Sequence, residues 1–203
     1  MISCRELKRR ARYSLDRSIF GNSWLFALLA CLIISLITGA LSGSAVLAPA
    51  TFICYGCFQY GIAVFFIDTS RVTEQKNDIN SVFAGFSENI GRNIIAGILY
   101  QIFITLWTLL LIIPGIIMSY AYSMTFYILK DHPEYTPSQA LKASKQMMKG
   151  YKMKLFLLDL SFIGWILVSL ICCLGIGMLW VTPYMRAAKT EFYEAIKNRG
   201  YDY

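Results

Sequence analysis

The sequence predicts an all-α, polytopic integral membrane protein: about six transmembrane helices in three hairpins, with amphipathic helices at one interface. Hydrophobic residues make up 57% of the 203-residue chain and charged residues 15%, against roughly 45–50% and about 25% in soluble domains. Mean hydropathy is +0.53. All nineteen Lys and Arg residues lie outside the apolar runs or at one end of them. Because cytoplasmic loops hold the excess of Lys and Arg, this asymmetry predicts a multi-pass cell-membrane protein with both termini cytoplasmic.

The elements follow in order. Residues 1–23 form a basic amphipathic helix with Arg5, Lys8, Arg9, Arg10, Arg12 and Arg17. Hairpin 1 covers 24–67, with Trp24–Leu41 and Val46–Ile67 as spans, since a bilayer core needs about 20 apolar residues. The leading segment is long and helical in pattern, and a second apolar run follows at once, so Trp24–Leu41 reads as a retained span and not a cleaved signal peptide. Residues 68–93 form a cytoplasmic segment with a second amphipathic helix. Hairpin 2 covers 94–129, an apolar run of about 36 residues. As one helix it would reach about 54 Å, so it must break, and Pro114-Gly115 supplies an outer turn between Ile94–Ile113 and Gly115–Leu129. Residues 130–154 hold a third amphipathic helix, and 155–203 the last apolar run with a C-terminal helix. Whether that run makes one span or two is open by length alone. Gly175, Gly177 and Pro183 weaken a single helix, and a hairpin keeps Arg186, Lys189, Lys197 and Arg199 inside.

The amphipathic helices carry start and stop signals. Ser3-x-x-Glu6 and Thr136-Pro137-Ser138-Gln139 both match a capping box. Leu7, Ala11, Leu15 and Ser18 share one face of the first helix. Ile79, Val82, Phe83, Phe86 and Ile90 share one face of the second, and Ala140, Leu141, Ser144, Met147 and Met148 one face of the third. Gly21, Gly91 and Gly150 each stand just before a span, as hinge or C-cap.

Several motifs then stand together: Ile113-Pro114-Gly115-Ile116-Ile117-Met118-Ser119-Tyr120, Ala140-Leu141 through Met147-Met148-Lys149-Gly150, Leu158-Asp159-Leu160-Ser161-Phe162, and Pro183-Tyr184-Met185. In this order they resemble the bacterial integral membrane proteins grouped as domain-of-unknown-function family 975. The resemblance implies a polytopic membrane protein of bacterial type. It supplies no activity, cofactor or catalytic residue.

Asp159 is the one carboxylate well inside an apolar run, and an ionisable group there is by default a functional candidate. The plainer reading is a headgroup-level residue paired with Lys152, Lys154 or a backbone donor. Gln101 and Tyr120 could line a polar path with it, or act as glue between helices. Ser35, Gly39 and Gly43 have small-residue spacing suited to close helix packing. Cys54 and Cys57, like Cys172 and Cys173, are expected to be buried, reduced and apolar in behaviour. His132 is the single histidine, so no four-ligand zinc set is expected. No nucleotide loop or hydrolase motif appears, so no cofactor and no enzyme is expected. The net charge of +7 sits beside apolar spans, which points to anionic lipid headgroups and not to nucleic acid.

Two functional classes follow. One is a non-enzymatic membrane component that engages lipid or a partner protein, including a second copy of itself. The other is a small-molecule or ion carrier, with Asp159, Gln101 and Tyr120 near helix breaks at Pro114, Gly115, Gly175, Gly177 and Pro183.

Overall fold

The structure is a computed structural model describing residues 4–14, 48–71, 79–172 and 177–198, with helical positions between 25 and 39. Among the described residues it is all helical, without strands. The named helices are α1 (Cys4–Ser14), α2 (Ala48–Arg71), α3 (Ala84–Ser87), α4 (Ile90–Leu110), α5 (Ile112–Tyr122), α6 (Thr125–Asp131), α7 (Pro137–Met147), α8 (Lys152–Cys172) and α9 (Gly177–Lys197). A 3₁₀ turn, Ile79–Phe83, leads into α3. Three described helices are long and apolar enough to cross a membrane: Phe52–Arg71, Ile90–Leu110 and Ile112–Asp131. The first span of hairpin 1 and its Ser42–Ala45 turn lie largely outside the described residues, as do Gly21 and Gly175.

The chain divides into two compact units. One gathers α1, the end of α2 from Phe65, and α8 from Met153 with α9. The other holds α2 up to Val64 and everything from Asn80 to Lys152.

In the second unit, α2 and α4 cross where each has a glycine. A side-chain carbon on Gly97 would stand 2.5 Å from the Gly56 Cα, and one on Gly56 would overlap the Asn93 carbonyl oxygen. The backbones therefore touch directly, which brings many atoms into dispersion contact. Elsewhere on α2, Gly61 meets the Val82 carbonyl, and Gly85 meets the Cys57 carbonyl. The small-residue stripe expected at Ser35 and Gly39 falls in a segment most of which lies outside the described residues. Gly43 lies outside the described residues.

The break in hairpin 2 is displaced from its expected position. Leu111, with φ −161° and ψ 140°, is the non-helical residue, and α5 begins at Ile112. Pro114 thus falls in the first turn of α5, where its missing N–H would have no helical acceptor anyway. Gly115 marks close packing: a side chain there would strike Thr108, whose Cα would lie 2.8 Å away. Gly177 opens α9, and Pro183 lies inside it without ending it.

The second amphipathic helix is also corrected. Its residues form the 3₁₀ turn and the four-residue α3, and Ile90 belongs to α4. Val82, Ala84 and Gly85 are buried, Phe86 is half-buried, and Phe83 and Ile90 are exposed. Period-3.6 reasoning fails here because the segment packs through glycine contacts on α2. The reversal into α4 occurs at Asn89, left-handed at φ 46°, a conformation asparagine tolerates. Gly91 sits within α4 and makes no hinge. Gly150, at φ +83°, has the left-handed backbone expected of a glycine just past a helix end.

Candidate functional site

The two amphipathic helices at the basic segments use their apolar faces inside the protein. In α7, Ala140, Leu141, Ser144, Met147 and Met148 are all buried, on the face the periodicity assigned. They pack on α4, α5 and α6, with Leu141 joining Met118, Ala121 and Tyr122 in one cluster. Its start is the expected capping box: Gln139 N–H donates to Thr136 Oγ1, and Thr136 N–H donates to Gln139 Oε1 at 2.8 Å. Proline at the first helical position completes that start. What remains outward is basic: Lys142, Lys145 and Lys149 are exposed.

In the other unit α1 behaves alike. Leu7 and Ala11 are buried, and α1 packs on α9. Lys8 Nζ donates to the Ser161 carbonyl at 3.0 Å and stands 4.3 Å over the Phe162 ring. Tyr184 Oη donates to the Lys8 carbonyl at 3.1 Å, while its ring meets Phe162 edge-on. Arg5, Arg9, Arg10 and Arg12 stay exposed. Glu6 takes Arg9 at 2.8 Å and Arg10 at 3.2 Å, and the Arg10 and Arg9 guanidiniums hold its carboxyl below the usual range. Burial pushes the Glu191 carboxyl up, partly offset by Arg10. Leu15 and Ser18 lie outside the described residues, as does Ser3 of the first capping box.

Polar groups at the boundary of α5 and α6 are turned inward as well. α5 and α6 are separated by a break at Ser123–Met124, which leaves backbone groups without helical partners. Hydroxyls take them up. Ser123 Oγ donates to the Tyr120 carbonyl at 2.8 Å, and Thr125 Oγ1 to the Tyr122 carbonyl at 2.7 Å. Ser144 Oγ, reaching across from α7, donates to the Ala121 carbonyl at 2.9 Å and accepts from the Met124 N–H at 3.2 Å. Ser and Thr side chains make helix breaks tolerable in lipid in this way. Sequence reading missed this break, although Ser119, Ser123 and Thr125 in one apolar run were a signal that hydroxyls compete for backbone there.

The basic end of hairpin 2 is tied by Arg92 and Asn93, which belong to no sequence motif. Arg92 donates to the Pro133 and Leu129 carbonyls, closing the C-terminal end of α6 onto the start of α4. Asn93, fully buried, donates to the Gly85 carbonyl at 3.1 Å and the Glu88 carbonyl at 2.8 Å. Tyr60 Oη donates to Glu88 Oε2 at 3.0 Å.

The predicted candidates fall in different places. Gln101 Nε2 donates to the Phe52 carbonyl at 2.9 Å, a bond from α4 to α2. Tyr120 is half-buried on α5. Asp159 belongs to the other unit, where its Oδ2 takes Lys189 Nζ at 3.1 Å. That partner stands on α9 and was not named by the sequence reading, because it lies thirty residues away. Cys57 is buried, and Cys54 and Cys57 are free thiols. Tyr55, Tyr100 and Phe126 cluster ring to ring at 5.7–6.5 Å.

These elements define a class: among the described residues, an all-helical protein with membrane-length helices and with basic residues exposed on its amphipathic helices. Comparison with known families adds a likeness over part of the chain. Residues 108–200 match the model of the family described as a protein of unknown function, DUF975, which shows the resemblance carried by the Pro114-Gly115, Met147-Met148-Lys149-Gly150 and Leu158-Asp159 motifs. Neither a curated protein nor a solved structure gave a significant match.

Proposed function

We propose that this protein is a non-enzymatic component of the cell membrane, with six spans in three hairpins and both termini cytoplasmic. Its basic rim engages anionic lipid headgroups at the inner leaflet. The supporting observation is the division of labour on α1 and α7: apolar faces are covered by protein, and Lys142, Lys145 and Lys149 point outward. An amphipathic helix free to lie in the interface would sink its apolar face into lipid. Here the buried apolar face is taken up by protein and the outward lysines remain, so attraction is electrostatic. A carrier is the second reading, favoured by the Asp159–Lys189 pair, whose carboxylate stands within the apolar run of α8. Hydroxyls already fill the break at Ser123–Met124, so that break offers a substrate little backbone.

Full-length protein in nanodiscs should retain phosphatidylglycerol over phosphatidylcholine at low salt and lose the preference as salt shortens the reach of charge. Neutralising Lys142, Lys145 and Lys149 to Gln together should weaken retention by up to about two orders of magnitude, at about 1 kcal/mol per basic residue. Native mass spectrometry reads both effects. Salt-independent retention, or retention unchanged in the triple variant, contradicts the proposal.

A further inference from the structure

We infer that the α4–α5 hairpin ends at the headgroup–acyl boundary of the leaflet opposite Arg92, its tip embedded among phospholipid acyl chains with no loop in the aqueous phase. The tip is Leu109–Ile113, five large apolar residues in a row. Leu109 is 83% exposed, Leu110 68% and Ile113 72%. None of the described residues of this unit covers them.

Two physical demands fix their depth. The side chains favour hydrocarbon over water, and they continue the exposed apolar flanks formed by Leu106 on α4 and Ile116 on α5. The Thr108 hydroxyl donates back to the Ile104 carbonyl at 2.8 Å, so its proton is taken up within the helix. The backbone makes the opposite demand, since helix ends carry groups that hydrocarbon cannot satisfy. The chain keeps that demand small. Only Leu111 is non-helical; its N–H donates to the Trp107 carbonyl at 3.1 Å and its own carbonyl accepts from Gly115 at 3.2 Å. Pro114 removes a donor from the first turn of α5 altogether.

Length agrees with both demands. α4 has 21 residues, about 31 Å at the usual rise, against a hydrocarbon core of about 30 Å. With Arg92 at the near headgroups, the tip reaches the far boundary and no further. The occupant is therefore acyl chain. This inference needs only that the hairpin enters the bilayer; it does not depend on headgroup binding by the basic rim.

The test uses the full chain in phosphatidylglycerol–phosphatidylethanolamine vesicles, with Leu110 or Ile112 replaced by a near-isosteric diazirine-bearing leucine. After illumination, mass spectrometry should find phospholipid adducts dominant at both positions. The same residue at Gln146, exposed on α7, should give the reversed ratio, dominated by water-insertion product. Water product dominating at Leu110 and Ile112 overturns the inference, and so does cross-linking to a second copy or to another protein.

Discussion

Gly56→Ala should destabilise the protein by about 3 kcal/mol, the upper end of the usual cost of overpacking a filled core. The added carbon would overlap the Asn93 carbonyl and lie 2.9 Å from the Gly97 Cα. Both are backbone atoms, so no side chain can rotate away, and α2 and α4 must separate. Separation would disturb the Asn93 bonds to Gly85 and Glu88 as well. Gly91→Ala is the control, since nothing lies within 4 Å of its side-chain position and alanine is the better helix former by about 1 kcal/mol. Thermal unfolding in detergent checks both. Equal melting temperatures for Gly56→Ala and the parent would remove the glycine crossing as an organising contact.

Ser144→Ala should have the second large effect, about 2 kcal/mol. Its hydroxyl serves two buried backbone groups at once, and stranding a buried donor or acceptor costs about 1–3 kcal/mol. The average for side-chain bonds between membrane helices is lower, around 0.6 kcal/mol. The higher figure applies here because Ser144 is fully buried and the groups it serves sit at a helix break. The specific readout is amide exchange: Met124 should exchange faster in Ser144→Ala than in the parent, while amides in the middle of α4 stay protected. Ser144→Thr keeps the hydroxyl and should restore protection at Met124. Uniform loss of protection across the unit would mean Ser144 acts only as a space-filler.

These two residues also show how far the sequence could be read. Long apolar runs gave the helices, and the α7 face from Ala140 to Met148 was legible because five residues at helical spacing had to be covered. What covers them was not legible: periodicity states that a face is apolar, and it is silent on whether protein or lipid meets it. Local chemistry placed the capping box at Thr136 and the left-handed glycine at Gly150. It misplaced the turn at Pro114-Gly115, because proline in a helix's first turn and proline at a break look alike in sequence. Gly56 and Gly97 were passed over because close crossings depend on which helices meet, and Arg92, Asn93 and Ser144 because their partners are distant in the chain. Asp159 stood out as a carboxylate in an apolar run; Lys189 as its partner required the fold.

The proposed rim has a consequence for how the protein sits. Its basic residues can serve anionic headgroups together only if the segments bearing them share one side of the bilayer, and the tip of hairpin 2 then faces the other. The direct measurement is a pair of reporters fused after Tyr203, one fluorescent only in the cytosol and one active only outside it. The account predicts a bright cytosolic reporter and a silent external one. The reverse pattern would put Arg186, Lys189 and Lys197 outside and contradict a single basic face on the inner leaflet.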